Sequence, residues 1–512
     1  MKRYPRLLKF LRRTLLPLAV LATLLALGIV VENWRGDRAW AAVERDLRAR
    51  GEPLDLAAFQ TPRVPDERNF FKAPTLENLL YAAPNDPQNK KLLADAKLSP
   101  LATSFVVGIV ITGKRSGPPS SDAKSGILVR TPDSAEYLHQ VQKRLHEHKL
   151  LTAPPSDDPA TEILAALKPA QFLLDAVVQA ARDRPAAWLV SAMGELVSSN
   201  KPKLDTQTAI SLVRVLAGRA KVEIALGQMD AAFADIKAIL KFSIAVSSAV
   251  PPTLQNAIGA EAMRAAAVDV LKDGCDRQQW TEPQLAELQV LFLTYPALAN
   301  LRQALQMERI AVTWILDSPP PFDPFVPYNR AVANSALVGV NLKPWPWWLI
   351  RGWAQQNKAT FAKQIDIKLA SLDPAAGRIF PEKLEDLEKY AVSLEGSWSP
   401  YNWLVKSTAN LIGPIPIRPH PIAQAIASMG ASENALHEAA VACALERFRL
   451  AHGRYPDTLS ELTPALITAV PIDVFTGQPL GYTRAAEDGL ILTATDAGGK
   501  AKGKTWTQSG PR

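Results

Sequence analysis

The chain has 512 residues, of which 47% are hydrophobic, 41 are proline and only 2 are cysteine. This composition excludes a disulfide-stapled mini-protein, a collagen and a disordered tail, and at about 100–200 residues per domain the length predicts several folded units. The net charge of +8 comes from the two ends: six basic residues precede the first acid, Glu32, and the last stretch is also basic. The residues between are nearly neutral, so we expect no basic surface for nucleic acid.

An uncharged apolar segment, residues 15–31, follows a basic flank at residues 1–14. With its flanks the segment approaches the ~20 residues of a membrane-spanning helix. By the positive-inside rule, we expect the basic flank to stay in the cytoplasm and the residues after the segment to be exported. The alternative is a cleavable signal peptide, because Ala39-Trp40-Ala41 has the form of a cleavage site. We favour a single-pass anchor in the inner membrane, with the lipid bilayer as its partner, because that site lies well beyond the end of a long apolar run.

Residues 32–100 are polar and punctuated by proline, which predicts a stalk and a segment leading into the folded body, with a short helix near Ala39–Arg50. Residues 104–112 (SFVVGIVIT) are rich in β-branched residues and predict a buried strand that pairs with residues 126–130. A helix is predicted from the caps Thr131 and Asp133 to about Lys149.

A mainly helical domain containing that short β-hairpin is predicted over residues 101–317, because apolar residues recur at three- and four-residue spacing from about Thr161. The predicted helices cover residues 161–182, 206–226, 230–249, 253–272, 281–293 and 298–317, and they are divided by Gly227, Pro251-Pro252, Gly274 and Pro296.

One part of this domain, residues 218–240, resembles a tetratricopeptide helical hairpin. Ala220, Gly227 and Ala232 fall where such a repeat places small residues, which let paired helices approach closely. No convincing recurrence at about 34 residues accompanies it, so an ordinary hairpin in an all-α domain is the alternative.

The composition of residues 318–430 shifts toward proline and aromatic residues, with helices between. Half of the 12 tryptophans lie there: Trp345, Trp347, Trp348, Trp353, Trp398 and Trp403. Three interpretations stay open: an aromatic subcore under a proline-stiffened loop, a membrane-facing patch that includes Arg351, and a sugar-stacking surface.

The two cysteines are predicted to be free thiols, one of them buried. Cys275 follows Lys-Asp-Gly in an apparent loop, whereas Cys443 lies on the apolar face of a predicted helix. A disulfide is the alternative for an exported chain. Neither cysteine has a second ligand at C-x-x-C spacing, so we expect no metal site from them.

Residues 431–500 predict one helix packed on a small antiparallel sheet, followed by a basic flexible tail at residues 501–512. The helix is expected to begin at a Ser432 N-cap and to end at Gly453. It is expected to bury Leu436, Val441, Cys443, Leu445 and Phe448, because so small a sheet needs a partner layer.

Two strands, Leu480–Arg484 and Leu490–Ala494, are predicted to pair across Glu487-Asp488-Gly489, and Asp473 is predicted to cap its own turn. The region resembles the C-terminal half of the major pseudopilin of type II secretion systems. The matching residues are Phe448, Gly453, Tyr455, Pro456, Leu459, Leu462, Pro471, Asp473, Phe475, Gly477, Pro479 and Tyr482. Val474 replaces the usual proline, and the acidic calcium loop is reduced to Thr495-Asp496-Ala497-Gly498. The resemblance implies a fold for residues 431–500 and no role.

The whole chain also resembles a family of uncharacterised bacterial single-pass membrane-anchored proteins, through its basic N-terminus, single apolar span, the segment VPDERN at Val64–Asn69, the helical middle and this ending. That resemblance implies no activity.

The sequence predicts no catalytic, cofactor-binding or metal-binding residue. His437-Glu438 begins like a zincin helix, but Val441 stands where the second histidine is needed. Glu308-Arg309 is expected to form an ion pair in a helix interface, the alternative being a catalytic acid. Three histidines share one predicted helix and are expected to form a solvated polar face: His139, His146 and His148.

The fold class predicted is mainly α: an N-terminal transmembrane helix, a helical body with the tetratricopeptide-like hairpin, and a small C-terminal helix-plus-sheet module. The leading hypothesis for function is a non-enzymatic extracytoplasmic interaction or assembly protein of the secretion apparatus or envelope, with a protein partner. The alternative is an anchored hydrolase. A deep pocket with two converging carboxylates favours the hydrolase, and a broad apolar groove favours the scaffold.

Overall fold

The structure is a computed structural model, and it describes residues 4–80, 87–106, 134–190, 206–250, 252–317, 347–383, 386, 420–485, 489–495 and 506–508. The chain is mainly helical and divides into two compact units. The first unit comprises Met1–Gln60, Arg302–Leu372 and Glu382–Gln424, and the second comprises Thr61–Leu301, Asp373–Pro381 and Ala425–Arg512.

The α-helices of the described residues are α1 (Tyr4–Ala49), α2 (Pro74–Leu80), α3 (Pro87–Asp95), α4 (Leu98–Ser104), α5 (Ser134–Glu147), α6 (Pro159–Leu167), α7 (Gln171–Asp183), α8 (Thr206–Ala225), α9 (Met229–Ser247), α10 (Leu254–Asp276), α11 (Glu282–Leu293), α12 (Ala297–Asp317), α13 (Trp347–Ala370) and α14 (His420–His452). Short 3₁₀ turns cover Leu56–Phe59, Phe70–Lys72, Lys168–Ala170 and Leu459–Leu462. The strands are β1 (Leu189–Val190), β2 (Ala249–Val250), β3 (Leu372–Asp373), β4 (Arg378–Ile379), β5 (Gly481–Ala485), β6 (Gly489–Thr493) and β7 (Trp506–Gln508).

In the first unit, α13 packs along the second half of α1. The two helices meet at glycines: a Cβ on Gly36 would overlap the carbonyl oxygen of Gly352, and a Cβ on Gly352 would overlap the backbone of Glu32. Glycine at both positions is therefore what allows the backbones to approach so closely. Beyond this crossing, Val43 and Leu47 are buried in a small apolar cluster with two alanines of α13.

The second unit is built around α8, which is buried on nearly all sides and packs against α4, α6, α9 and α10. Helices α8 and α9 form a hairpin, and Ala220 and Ala232 are both fully buried in it. Gly227 has a φ of +73° in the connection, a conformation that glycine adopts at low cost. The predicted pair of helices is confirmed.

The C-terminal part of the second unit has one helix, α14, and an antiparallel sheet in the order β5-β6-β7. Strands β5 and β6 pair as predicted, with Tyr482 opposite Leu492 and Arg484 opposite Leu490. The five residues expected on the buried face of the helix, Leu436, Val441, Cys443, Leu445 and Phe448, are all buried. They belong to the same apolar core as the body helices, and Gln289 of α11 donates a hydrogen bond to the Leu466 carbonyl at 2.7 Å. The helix-plus-sheet module therefore shares its core with the helical body.

Several predicted boundaries are wrong because packing overrides local signals. The short helix expected near Ala39–Arg50 is the end of α1, which is continuous from Tyr4. Ser432 is not an N-cap: α14 begins at His420, and Ile426 and Met429 extend its buried stripe ahead of Ser432. The helix expected over residues 161–182 is two helices joined by a 3₁₀ turn at Lys168–Ala170, where Pro169 withholds an N–H from the helical ladder.

Gly274 and Cys275 are also placed differently from the prediction. Gly274 does not end a helix, because α10 continues to Asp276; instead the indole of Trp280 packs where a side chain of residue 274 would stand. Trp280 also donates a hydrogen bond to the Leu271 carbonyl at 3.0 Å. Cys275 is consequently in the last turn of α10 and fully buried rather than in a loop, and both cysteines are free.

The predicted strand at residues 104–112 begins in α4, since Ser104 is the last residue of that helix. Its remainder from residue 107, the predicted partner at residues 126–130 and most of the proline- and tryptophan-rich stretch lie outside the described residues.

Candidate functional site

A cavity of about 420 Å³ opens in the second unit among helices α6, α7, α8 and α9. Its wall combines apolar and polar groups, a composition typical of small-molecule sites. The apolar part is formed by Leu164, Leu167, Leu174, Val178, Ala231 and Ala234. The polar part is formed by Lys168, Gln171, Asp175, Arg219, Glu223, Gln228 and Asp235.

Arg219 organises the polar side of this cavity. Its Nε and Nη2 donate to the two carboxylate oxygens of Asp235 at 2.8 and 2.7 Å, and its Nη1 donates to Asp175 at 2.7 Å. The Glu223 carboxylate lies 3.7 Å from its Nε. Burial disfavours the charge of Arg219, but the hydrogen bonds and charge of Asp235 outweigh burial and raise its pKa. Arg219 is thus a permanent cation held by two aspartates.

Glu223 and Asp235 compete for this single guanidinium. Burial and the charge of Asp235 raise the pKa of Glu223 to about 8. Burial also raises the pKa of Asp235 above its usual range, although Arg219 opposes the shift. At neutral pH the pair therefore holds one proton, and Glu223 is the residue that carries it. Such a pair of carboxyl groups in one cavity can accept or release a proton.

The geometry follows from the helical hairpin. Arg219 and Glu223 are one turn apart on α8, so they share a face, and Asp235 comes from the antiparallel partner α9. This site was not predicted from the sequence. Charged residues within residues 218–240 occupy helix positions that are buried in the structure, and the sequence alone carries no signal of that burial.

The residues singled out from sequence lie elsewhere. Arg309 is fully buried in the first unit and binds Glu52 at 2.7 Å and Asp366 at 3.0 Å, so its ion pairs are with acids outside its own helix. The neighbouring Glu308 is 2% exposed, and its charge partly offsets the burial that lowers the pKa of Lys368 to about 8.

The histidines are bound to nearby groups. The Nδ1 of His437 is 2.8 Å from the Ile472 carbonyl, and its Nε2 is 3.7 Å from Glu433. His146 lies 3.6 Å from Glu162, and His139 is within 2.9 Å of a carbonyl of its own helix. Within the described part of the chain, no group of three or more His, Cys, Asp or Glu side chains is arranged to hold a metal ion.

The N-terminal helix carries the other functional feature. Among the described residues, two segments are apolar and long enough to cross a membrane, residues 15–49 and Pro159–Asp183. The most apolar window of the second is 44% buried, in the core of its unit, whereas that of the first is 0% buried. Ten large apolar side chains between Leu15 and Val31 are 51% to 63% exposed, whereas Ile29 is half-buried.

Comparison with family models, curated proteins and solved structures finds no match to this chain.

Proposed function

We propose that the protein is anchored in the cytoplasmic membrane by residues 15–31 and acts outside the cytoplasm as a non-enzymatic interaction or assembly protein. One observation carries the proposal: residues 15–31 form a helix whose apolar side chains are exposed along its length. Exposed apolar surface of this extent is unfavourable in water and favourable in a bilayer. The basic flank at residues 1–14 supports a cytoplasmic N-terminus.

Two features of the body support the interaction role. The α8–α9 hairpin is consistent with a tetratricopeptide-like unit, and the C-terminal module is consistent with a pseudopilin-like one. Strand β5 is at the edge of its sheet, and Gly481, Thr483 and Arg484 are exposed on it. Edge strands present unpaired backbone groups that accept a strand of a partner.

The anchor is tested by placing arginines in the helix. Leu21→Arg with Leu24→Arg adds two charges, each of which costs about 2.5–3.5 kcal/mol at the centre of a spanning helix. We expect the protein to leave the membrane fraction after carbonate extraction. The matched control is Phe172→Arg with Leu450→Arg, two exposed apolar positions outside the span, which should leave the protein in the membrane. Full retention of the first variant contradicts the anchor.

Orientation and processing are tested together. A reporter that is active only outside the cytoplasm, fused after Arg50, should be active, and the protein should keep its N-terminus. Recovery of a soluble chain that starts near Ala42 would establish the signal-peptide alternative instead.

The assembly role is tested by photo-crosslinking in cells. A photoreactive amino acid in place of Thr483 on β5 should give a discrete adduct with one protein, whereas the same amino acid in place of the exposed Glu147 should not. Adducts of equal intensity at the two positions would argue against the sheet edge as a docking surface.

A second candidate function, an anchored hydrolase, is supported by the cavity that contains Glu223 and Asp235. In such an enzyme protonated Glu223 would act as the general acid and Asp235 as the base or nucleophile. Ester, glycoside and peptide substrates can be screened with the full chain. A hydrolysis that Glu223→Gln and Asp235→Asn both abolish would favour this function over the first, and a hydrolysis that persists in both variants would exclude this cavity as its source.

A further inference from the structure

We infer that the first turn of α13, Trp347–Ile350, is a second membrane contact that lies in the lipid headgroup region beside the point where α1 leaves the bilayer. This inference rests on the proposed anchor. It assigns the helical start of the tryptophan-rich segment to one partner, the surface of the lipid bilayer.

The direction of α13 carries the first step. Gly352 donates its N–H to the Asn33 side chain at 2.7 Å, Lys358 lies 4.0 Å from the ring of Trp40, and Arg50 binds Asp366 at 2.7 Å. Residue numbers therefore rise together along both helices, which makes α13 parallel to α1. The N-terminal end of α13 consequently points toward the apolar span rather than away from it.

The level of the first turn follows from helix geometry. Trp348 precedes Gly352 by four residues, which places it about 6 Å closer to the span at 1.5 Å per residue. Since Gly352 lies against Glu32, Asn33 and Gly36 of α1, this level corresponds to the turn Gly28–Glu32, which ends at the first charged residue after the span. The turn is therefore level with the boundary between apolar and charged residues, which in a spanning helix marks the membrane interface.

The residue types fit that level. The first turn reads Trp-Trp-Leu-Ile, and tryptophan is enriched where membrane meets water. On α1, Trp34 is 60% exposed about one helical turn further from the span, with Arg38 5.5 Å from its ring. Further from the span, Arg351 of α13 is paired with Asp37 of α1 at 2.8 Å. Charged residues therefore follow directly after the tryptophans on both helices. This order of apolar, aromatic and charged layers matches the structure of a bilayer surface.

The test measures depth in vesicles of phosphatidylcholine and phosphatidylglycerol. The full chain, with Cys275→Ala and Cys443→Ala, carries a nitroxide at a single new cysteine: Trp348→Cys for the first turn, Leu21→Cys for the span, and Lys363→Cys for the exposed far part of α13. We expect the nitroxide at position 348 to collide often with oxygen dissolved in the lipid and only rarely with a water-soluble nickel chelate. The nitroxide at position 363, about 22 Å further along the same helix, should collide often with the nickel chelate.

The outcomes separate this inference from the anchor. Nickel access at position 348 equal to that at 363, with position 21 still protected, overturns the membrane contact and leaves the anchor standing. Low access of both reagents at 348 also overturns it, because the turn is then covered by protein. Nickel access at position 21 overturns the anchor itself. If circular dichroism shows that the Trp348→Cys chain is misfolded, Ile350→Cys in the same turn provides the measurement.

Discussion

Three carboxyl groups, those of Asp175, Glu223 and Asp235, share the single guanidinium of Arg219 in the cavity of the second unit. Asp235 accepts hydrogen bonds from Nε and Nη2 of Arg219, whereas the Glu223 carboxylate lies 3.7 Å from Nε. A buried carboxylate without its own cation is costly, and the group responds by binding a proton. Glu223 is therefore a neutral acid in the folded protein at neutral pH.

This protonation has a consequence for stability. A carboxyl group whose pKa is raised on folding holds a proton that the unfolded chain has released, so stability falls as pH rises from about 4.3, the unfolded value, to about 8. Glu223→Gln mimics the protonated form and removes this loss. We expect the free energy of unfolding of the variant, relative to that of the wild type, to rise by up to about 1.4 kcal/mol for each pH unit in that range. Urea unfolding between pH 5 and 9 measures this difference.

The control for this measurement is Glu287→Gln. Glu287 is an exposed acid of α11, paired with Lys237 at 3.1 Å, and a surface pair of this kind is worth little. The free energy of unfolding of the Glu287→Gln variant should therefore change with pH in the same way as that of the wild type. Parallel pH profiles for Glu223→Gln and the wild type would mean that Glu223 is ionised in the folded state.

Asp473 shows the opposite behaviour in the C-terminal module. Burial raises its pKa, but hydrogen bonds from Thr495 and from the amides of Phe475 and Thr476 outweigh burial and lower it. A lowered pKa stabilises the fold above the unfolded value of about 3.9, and that stability is lost as pH falls through the folded value. We expect Asp473→Asn to cost roughly 1.5–3 kcal/mol at pH 7 and less below pH 4, measured by thermal unfolding.

The matched control is Asp457→Asn in the same module. Asp457 binds Arg484 at 3.0 Å from a largely exposed position, so its replacement should change the free energy of unfolding by no more than about 0.5 kcal/mol. A cost at Asp473 that does not shrink in acid would show that the hydrogen bonds, and not the charge, hold this turn.

At the scale of helices and strands, the α8–α9 hairpin depends on small residues at its contact. Ala232 is fully buried, whereas its neighbour Ala231 is exposed on the same helix. Ala232→Leu inserts extra carbon atoms into a filled interface and should cost roughly 1–3 kcal/mol by urea unfolding. Ala231→Leu adds the same atoms where there is room. Equal stability of the two variants would place Ala232 outside the helix contact.

Elements were predictable wherever a local pattern agreed with packing. The apolar spacing located α8, α9, α11 and α12 to within two residues, because each buries one face in a shared core. Gly227 and Gly453 were identified as helix ends, and both have a φ of +73°. Gly274 was misassigned for a reason that lies outside its own segment: the indole of Trp280 requires a residue without a side chain there.

The cavity was missed for a related reason. Sequence periodicity separates apolar from polar positions, and a buried charge violates that pattern at the places where function or specificity is built. Arg219 and Glu223 were not singled out from the sequence, because a charged residue at a helix position gives no sign that neighbouring helices bury it. Only the three-dimensional packing of α6 and α7 over α8 shows that they are enclosed.

At the scale of the whole molecule, charge is concentrated at the two ends of the chain and nearly absent as a net quantity between them. Such a distribution has no effect on the fold, but it determines how an apolar helix enters a membrane. The basic residues at the N-terminus are adjacent to the span, and those at the C-terminus are hundreds of residues away. Only the first group lies within the ~15–20 residues of the span that influence orientation.

The orientation can therefore be changed without altering the body. Replacement of the six N-terminal basic residues by glutamine leaves no Lys or Arg before residues 15–31, whereas five arginines follow within twenty residues; the six are Lys2, Arg3, Arg6, Lys9, Arg12 and Arg13. We expect a reporter fused after Arg50 to lose much of its extracytoplasmic activity, because the Lys/Arg bias across the span is then reversed. The matched variant replaces Lys500, Lys502, Lys504 and Arg512 by glutamine and should keep full activity, since these charges are too far from the span to act on it. If both variants keep full activity, a feature other than the flanking charge orients the anchor.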